Sequence, residues 1–319
     1  SEVNVSEKET AMIGDGRPES ESAEPSQAQP RPYADTRPGA RPVPPGLHLI
    51  ATPIGAARDI TLHALDLLAG ADVLAAEDTR TLRKLMEIHG LSPGTRPLIA
   101  YHDHNGSRAR PGLMRALTEG RSIVYASEAG TPLVADPGYQ LVRAALAEGH
   151  PVHAAPGPSA VLAALAVSGL PTDRFLFAGF PPSTGAARAR WLAELAPVQA
   201  TLVLYESPKR VHKLLTESAE HLGNERQAAV CRELTKRFET VTRGTLAELA
   251  QAFAAQTVKG EIVVVIDRAD VAPAGAEDME AALRAAFTRV SLKDAVAEVS
   301  AALGVPRREV YQTALKLEG

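Results

Sequence analysis

The chain is organised around residues 127–138, which read Ser127-Glu128-Ala129-Gly130-Thr131-Pro132-Leu133-Val134-Ala135-Asp136-Pro137-Gly138. A short apolar run, residues 122–126, precedes them, and a helical apolar period begins at Tyr139. Glycine allows positive φ and proline fixes φ, so these residues predict a stiff loop between a buried strand and a helix. Ligands of open α/β sheets bind beyond the carboxyl ends of strands. A ligand-binding loop is therefore favoured over a plain connection in which Asp136 caps the helix.

The composition is that of an ordinary soluble protein long enough for two domains, with 319 residues, 45% hydrophobic and 23% charged. The net charge of −4 means that a nucleic-acid partner would have to be held by local basic patches. The single cysteine, Cys231, excludes an internal disulfide and is interpreted as a small core residue. Because no apolar run approaches the roughly 20 residues of a membrane span, we expect a cytoplasmic protein without a membrane partner.

The distribution of residue types along the chain predicts a tail, two α/β domains and a helical extension. The tail is rich in Glu, Ser, Pro, Arg and Gln, a composition typical of disorder. Alternating strands and helices in the first domain indicate a mostly parallel sheet. A short polar turn between two strands of the second domain indicates a mixed sheet. The final helices are compatible with a helix-turn-helix unit or with a packing appendage. The predicted bounds are 1–45, 46–157, 158–270 and 276–319.

Polar loops follow the other strands of the first domain as well. They read Thr52-Pro53-Ile54-Gly55, Glu77-Asp78-Thr79-Arg80, His102-Asp103-His104-Asn105 and Pro156-Gly157-Pro158-Ser159-Ala160. The dinucleotide fingerprint G-x-G-x-x-G is absent. Asp78 and Arg80 have two interpretations that are equally good: part of a binding site, or a local helix N-cap with an ion pair. His102 and His104 lack the third and fourth ligands that zinc needs, so no metal site is predicted.

Two motifs of the second domain complete the set, Tyr205-Glu206-Ser207 and Arg232-Glu233-Leu234-Thr235-Lys236. In this order, the loops resemble those of one family, the bacterial small-subunit ribosomal RNA cytidine 2′-O-methyltransferases. That family is a branch of the tetrapyrrole-methylase-like (class III) S-adenosylmethionine enzymes. The resemblance covers residues 47 to about 267, and the final helices resemble an extension that some members carry.

The resemblance implies two α/β domains of the tetrapyrrole-methylase type with S-adenosylmethionine bound between them, and a homodimer. It implies a substrate that is small-subunit ribosomal RNA or the assembled small subunit. The donor-binding residues that it implies are Pro53, Gly55, Ser127, Glu128, Ala129, Gly130, Thr131, Pro132, Ser159, Ala160, Tyr205 and Glu206. The RNA-binding residues that it implies are Glu77, Asp78, Arg80, Arg83, His102, His104, Asn105 and Lys236.

The identity of the general base stays open at this stage. Alignment of donor and ribose oxygen can by itself supply about 7–11 kcal/mol of the barrier, and a base would add about 10²–10⁴-fold. The candidates are Asp103, Glu206, Glu233 and, if its pKa is depressed, Lys236. Two further functions remain as alternatives: a tetrapyrrole C-methyltransferase of the same fold, and a relative that binds RNA without catalysis. The second is favoured only by Glu128, which stands where the family usually has Asp.

Overall fold

The computed structural model describes residues 41–134, 138–270 and 275–318. Most of the predicted tail, the predicted cap Asp136 and residues 271–274 lie outside these ranges. Within the described ranges there are two five-stranded sheets and eleven α-helices. None of those helices combines the length and the apolarity that a membrane crossing requires.

The first sheet is parallel throughout, with the strand order β3-β2-β4-β1-β5. Its strands are β1 (Gly46–Ile50), β2 (Val73–Ala76), β3 (Leu98–Ala100), β4 (Ser122–Ala126) and β5 (Val152–Ala155). Its helices are α1 (Leu62–Gly70), α2 (Thr79–Ile88), α3 (Gly106–Thr118) and α4 (Tyr139–Ala147). The prediction of a parallel α/β arrangement is confirmed.

The sheet is buried because its central strands are apolar on both faces. All five residues of β4 are buried, and one apolar cluster covers each face of the sheet. Parallel strands covered on both faces read as continuous apolar runs rather than as an alternating pattern. All the loops that follow these strands leave from the same edge of the sheet, which places the polar motifs of the first half together.

The second sheet is mixed, as the sequence predicts, with the order β6-β7-β10-β8-β9. Strands β6 and β7 are parallel, while β10 runs antiparallel to both β7 and β8, and β8 antiparallel to β9. Its strands are β6 (Phe175–Gly179), β7 (Thr201–Glu206), β8 (Gln227–Arg232), β9 (Thr240–Thr245) and β10 (Ile262–Ile266). Its helices are α5 (Ala160–Ser168), α6 (Gly185–Leu195), α7 (Val211–Leu222) and α8 (Leu246–Ala254). Ser159 caps α5 by accepting a hydrogen bond from the N–H of Leu162.

Three helices with their own apolar core follow the second sheet. They are α9 (Ala276–Phe287), α10 (Leu292–Leu303) and α11 (Arg307–Glu318). Gly304 ends α10 in the left-handed conformation at φ 64°. The domain boundaries predicted from the sequence stay predictions.

Candidate functional site

A cavity of about 390 Å³ lies at the carboxyl edge of the first sheet, where residues of the second sheet form its opposite wall. Its size falls within the range of about 300–1,000 Å³ that is usual for small-molecule sites. The lining residues from the first half are Ile54, Glu77, Glu128, Ala129, Gly130, Thr131, Val134, Ser159 and Ala160. Those from the second half are Phe180, Tyr205, Glu206, Ser207, Pro208, Cys231, Leu234, Gly260, Glu261, Ile262 and Val263.

The loop after β4 is stiff because it is hydrogen-bonded to its neighbours. Thr52 and Gly130 exchange backbone hydrogen bonds, each with an N···O distance of 3.0 Å, and Gly130 adopts φ 78°. The Ser127 hydroxyl donates to the carbonyl of Gly130 at 2.9 Å. The Thr131 hydroxyl donates to the carbonyl of Pro158 at 2.9 Å, which joins this loop to the one after β5. Three loops of the first sheet therefore form one fixed surface.

Carboxylates concentrate on this surface at the mouth of the cavity. The backbone N–H of Glu128 donates to Oε2 of Glu77 at 3.0 Å. Burial raises the pKa of Glu128, and the nearby negative charges of Glu77, Asp78 and Glu261 raise it further. The mouth of the cavity is therefore electronegative, which favours a positively charged ligand and disfavours free phosphate.

The opposite wall is built where β7 ends and β10 begins. Because β10 is antiparallel to β7, Ile262 lies beside Glu206 and Val263 beside Tyr205. Glu206 is only 6% exposed; its Oε1 accepts a hydrogen bond from the N–H of Ser207 at 2.7 Å and forms an ion pair with Nε of Arg210 at 3.2 Å. This carboxylate is therefore held in one place at the cavity wall.

The turn between β8 and β9 packs directly on the loop after β1. The Thr235 hydroxyl accepts a hydrogen bond from the N–H of Ala56 at 3.0 Å. A Cβ placed on Gly55 would lie 2.6 Å from the Thr235 hydroxyl and 2.8 Å from the carbonyl of Leu234. Glycine at position 55 thus allows the two halves of the protein to meet beside the cavity.

Within this turn, Lys236 is held between two carboxylates. Its Nζ donates to Glu233 at 3.1 Å and to Glu261 at 2.9 Å. Burial by itself lowers the pKa of Lys236, but the hydrogen bonds to Glu261 and Glu233 and the negative charges of these two carboxylates together raise it. The sequence-based suggestion of a neutral Lys236 acting as a base is therefore corrected, because its environment stabilises the charged form. The N–H of Glu261 and then the ammonium of Lys236 lower the pKa of Glu233, which makes Glu233 a weaker base.

Comparison with known proteins gives a match over most of the chain. The profile of Tetrapyrrole (Corrin/Porphyrin) Methylases matches residues 46–250. The chain belongs to this family. The profile described as RsmI C-terminal HTH domain matches residues 273–318, which include the three final helices.

Two curated relatives place the chain on one branch of the tetrapyrrole methylases. The protein from Mesorhizobium japonicum named Ribosomal RNA small subunit methyltransferase I is 46% identical over 280 residues, covering 88% of this chain and 94% of the relative. The protein of the same name from Mycobacterium tuberculosis is 44% identical, covering 85% of this chain and 94% of the relative. The family resemblance noted in the sequence is confirmed by these matches.

A solved structure shares the fold at low sequence identity. The crystal structure of the methyltransferase CobJ superposes with a TM-score of 0.52 at 18% identity, covering 70% of this chain and 94% of that one. The predicted fold class is confirmed, and the likeness extends to the fold alone.

The cavity brings together eight of the twelve residues predicted to bind the donor, namely Glu128, Ala129, Gly130, Thr131, Ser159, Ala160, Tyr205 and Glu206. The other four, Pro53, Gly55, Ser127 and Pro132, do not line it. Ser127 uses its hydroxyl to shape the loop, and the close contact that requires glycine at position 55 is with the 234–236 turn. Ser127 and Gly55 therefore shape the loops next to the cavity rather than line it.

The residues predicted to contact RNA are divided between structural and exposed positions. Asp78 caps α2 by accepting hydrogen bonds from the N–H groups of Arg80 and Thr81. Asn105 accepts from the N–H of His102 and donates to the carbonyl of Ala100, so its amide fixes the loop after β3. In contrast, the side chain of Arg80 is 93% exposed.

The remaining candidates of the first half lie outside the cavity lining. The rings of His102 and His104 meet edge to face, with centroids 6.0 Å apart. Asp103 is exposed in the same loop, and Arg83 is exposed on α2. Among the described residues, no group of three or more His, Cys, Asp or Glu is arranged to hold a metal ion.

Sequence reasoning missed the wall formed by Gly260–Val263 and the aromatic ring of Phe180. The Gly260–Val263 wall does not follow the carboxyl end of a strand, because β10 is antiparallel and presents its beginning to the cavity. Cys231, predicted to be a core residue, is buried in the wall, and burial raises the pKa of its thiol to about 11. It is therefore an unreactive apolar residue rather than a nucleophile.

Proposed function

We propose that this tetrapyrrole methylase transfers a methyl group from S-adenosylmethionine to a cytidine ribose 2′-oxygen of small-subunit ribosomal RNA. The observation that carries the proposal is the cavity with its carboxylate-lined mouth, formed by the loops that the chain shares with the family. The names of relatives at 46% and 44% identity support a ribosomal RNA substrate. Because ribosomal RNA is the substrate, we expect the enzyme to act in the cytoplasm.

The lining residues fit S-adenosylmethionine in both charge and polarity. The donor's sulfonium and ammonium groups match the carboxylates of Glu77, Glu128, Glu206 and Glu261. Apolar side chains, Ile54, Val134, Leu234, Ile262 and Val263, provide contacts for the nucleoside. The N–H groups at the start of α5, next to Ser159, suit the donor's carboxylate.

The main contribution of these residues to catalysis is alignment. The donor supplies a methyl group on a positively charged sulfur, which is already a strong electrophile. The loop at 127–131, fixed by the hydrogen bonds between Gly130 and Thr52, would hold the donor, and Leu234 of the turn at 233–236 adds an apolar side chain to the cavity wall. A geometry held in this way can contribute about 7–11 kcal/mol.

The proton of the ribose hydroxyl needs an acceptor in the cavity. Of the four candidates named from the sequence, only Glu206 lines the cavity. Glu128 joins the candidates, because a raised pKa brings a carboxylate nearer to the operating pH and makes it a better proton acceptor. Lys236 contributes a fixed positive charge that holds Glu233 and Glu261 in place.

RNA binding is assigned to the outer edge of the first sheet. The carboxylates at the cavity mouth repel phosphate, so the backbone of the RNA must be held elsewhere. Arg80 and Arg83 on α2, and the loop of His102 and His104, offer exposed basic groups close to the carboxyl ends of β2 and β3. Such contacts position the RNA while the cavity selects the nucleotide.

A labelled-methyl transfer assay tests this function against its two alternatives. The purified protein is incubated with labelled S-adenosylmethionine and either small ribosomal subunits lacking the methyl group or uroporphyrinogen III. We expect label in the RNA alone. Label in the tetrapyrrole would identify a C-methyltransferase. Absence of both transfer and donor binding in isothermal titration would identify a non-catalytic relative.

We also propose a homodimer in which β5 and α4 meet a second copy. Strand β5 is an edge of its sheet with His153 and Ala154 exposed, and edge strands are normally covered. On α4, Tyr139 and Leu146 are each 58% exposed and share one face. Symmetric pairing of one such face is the commonest form of oligomer.

Replacing Leu146 by glutamate should convert the dimer to a monomer, because the charge would be buried against its own copy. Light scattering coupled to size exclusion measures the mass. The matched control is Ile88→Glu, which alters an equally exposed apolar residue on α2. A monomeric wild-type protein, or a dimeric Leu146→Glu variant, would contradict this interface.

A further inference from the structure

Phe180 is an exposed aromatic residue at the cavity. It contributes to the lining, yet 56% of the residue remains exposed. Large apolar side chains at the mouth of a ligand cavity, rather than in a core, are typical of recognition sites. The ring is therefore available to a ligand that is larger than the cavity itself.

The backbone before Phe180 is shaped so that the ring is presented there. The pairing of β6 with β7 shifts register between Phe177 and Gly179, as it does at a β-bulge or a similar irregularity of the strand. Gly179 then adopts φ 75°, a left-handed backbone conformation that favours glycine. A Cβ at this position would have no atom within 4 Å, so glycine is needed here for the backbone conformation and not because of a close contact. Bulges next to active sites commonly redirect a side chain.

Two aromatic residues support the ring from the protein side. The centroid of Phe180 lies 5.6 Å from that of Tyr205, with the planes at 68°. Tyr205 in turn meets Phe177 at 4.9 Å and 66°. Edge-to-face pairs of this kind contribute about 0.5–1.5 kcal/mol beyond area burial. The orientation of the Phe180 ring is thus fixed before any ligand binds.

The loop after Phe180 is anchored by a buried cation. Arg188 is 5% exposed, and its Nη1 donates to the carbonyls of Pro182 and Ser183, each at 3.2 Å. The carboxylate of Glu217 binds the other side of the same guanidinium. An exposed phenylalanine on a rigid, anchored loop is a preformed platform and not a mobile surface side chain.

We propose that Phe180 stacks on the base of the target nucleotide and so positions its ribose for methyl transfer. The inference rests on the function proposed above. A ribose that enters the cavity carries its base out of the helical stack, and the lost stacking must be replaced. Proteins that bind unpaired RNA do this with aromatic faces, and one stacked base is worth about 1–3 kcal/mol.

The test compares Phe180→Ala with Phe180→Trp and with the matched control Phe175→Ala. Phe175 is 43% exposed at the start of β6, the strand that ends just before Phe180, but it does not line the cavity. For each variant, donor affinity is measured by isothermal titration, and KM and kcat are measured with the RNA substrate. We expect Phe180→Ala to raise KM for RNA about tenfold with unchanged donor affinity. Phe180→Trp should restore KM, and Phe175→Ala should behave as wild type.

The other results overturn the inference in distinguishable ways. An unchanged KM in Phe180→Ala shows that the ring does not contact the base, while the proposed function stands. A loss of donor affinity in Phe180→Ala shows that the ring belongs to the donor site. An equal rise in KM for Phe175→Ala shows that the strand as a whole has been disturbed. Failure of the wild-type protein to methylate RNA removes the proposed function, and this inference with it.

Discussion

Gly55→Ala is expected to lower kcat/KM for methyl transfer about 100-fold, the loss that a misplacement of about 1 Å can cause in an active site. The added Cβ would lie 2.6 Å from the Thr235 hydroxyl, 2.7 Å from Cγ of Lys236 and 2.8 Å from the carbonyl of Leu234. Because the last of these is backbone, a side-chain rotation cannot relieve the contact. The turn or the loop after β1 must therefore shift, and Leu234 of the turn is part of the cavity wall.

The turn cannot adjust cheaply, since its backbone is already unusual. Glu233 at φ 52° and Thr235 at φ 65° are both in the left-handed region, which costs about 1–3 kcal/mol per non-glycine residue where the surroundings enforce it. The carboxylate of Glu239 accepts a hydrogen bond from the N–H of Thr235 at 2.6 Å. Moving the turn would break this bond or the one from the N–H of Ala56 to Thr235.

Steady-state kinetics and donor titration of Gly55→Ala measure the effect, and Gly112→Ala is the matched control. A Cβ on Gly112 would meet only the end of the Arg115 side chain at 3.7 Å, an ordinary contact inside α3. The double variant Gly55→Ala, Thr235→Gly should recover part of the activity. The second substitution removes the Thr235 hydroxyl, which is the atom nearest to the added Cβ, and glycine readily adopts the left-handed backbone conformation of position 235. Wild-type kinetics for Gly55→Ala would show that the contact beside the cavity has no role.

Glu217→Gln is expected to lower the free energy of unfolding by about 3 kcal/mol or more at pH 7. Removing one partner of a buried ion pair leaves an uncompensated charge, which typically costs about 3–5 kcal/mol. The Arg188 side chain is only 6% exposed, while that of Glu217 is 22% exposed, which favours the lower end of that range. The exposed Glu194, on the same helix as Arg188, provides the control Glu194→Gln, for which we expect a change within about 0.5 kcal/mol.

The effect of Glu217→Gln should depend on pH in a defined direction. The hydrogen bond from Arg188 is the main cause that lowers the pKa of Glu217. A carboxyl whose folded-state pKa is lowered stabilises the fold above its unfolded value, about 4.5, and this stabilisation is lost as pH falls through the folded-state pKa. Denaturant unfolding at pH 7 and at progressively lower pH measures the difference. A gap between wild type and variant that persists unchanged into strong acid would contradict this origin.

Much of the fold could be predicted because the apolar runs and the glycine- and proline-rich loops are local signals. The residues of β4 show a continuous buried run, and Ser159 stands where a helix cap is needed. The antiparallel β8 and β9 could be predicted from the short polar turn between them, which extends as far as the start of β9 at Thr240.

The parts of the site that escaped prediction depend on contacts between distant segments. No local pattern shows that Gly55 faces Thr235, because that contact joins residues 180 positions apart. The entry of Glu261 into the cavity wall depends on the direction of β10, which follows from strand order and not from its own residues. The role of Lys236 also could not be derived, since its two carboxylate partners determine its pKa.

The position of the methyl group in the product tests the proposed reaction most directly. Small ribosomal subunits lacking the modification are incubated with the protein and S-adenosylmethionine, and the RNA is digested with nucleases and analysed by mass spectrometry. We expect one 2′-O-methylcytidine per subunit with the wild-type protein. We expect none when the Gly55→Ala variant is used instead at the same low enzyme concentration. A methyl group on a base, or on the ribose of another nucleotide, would contradict the proposed reaction.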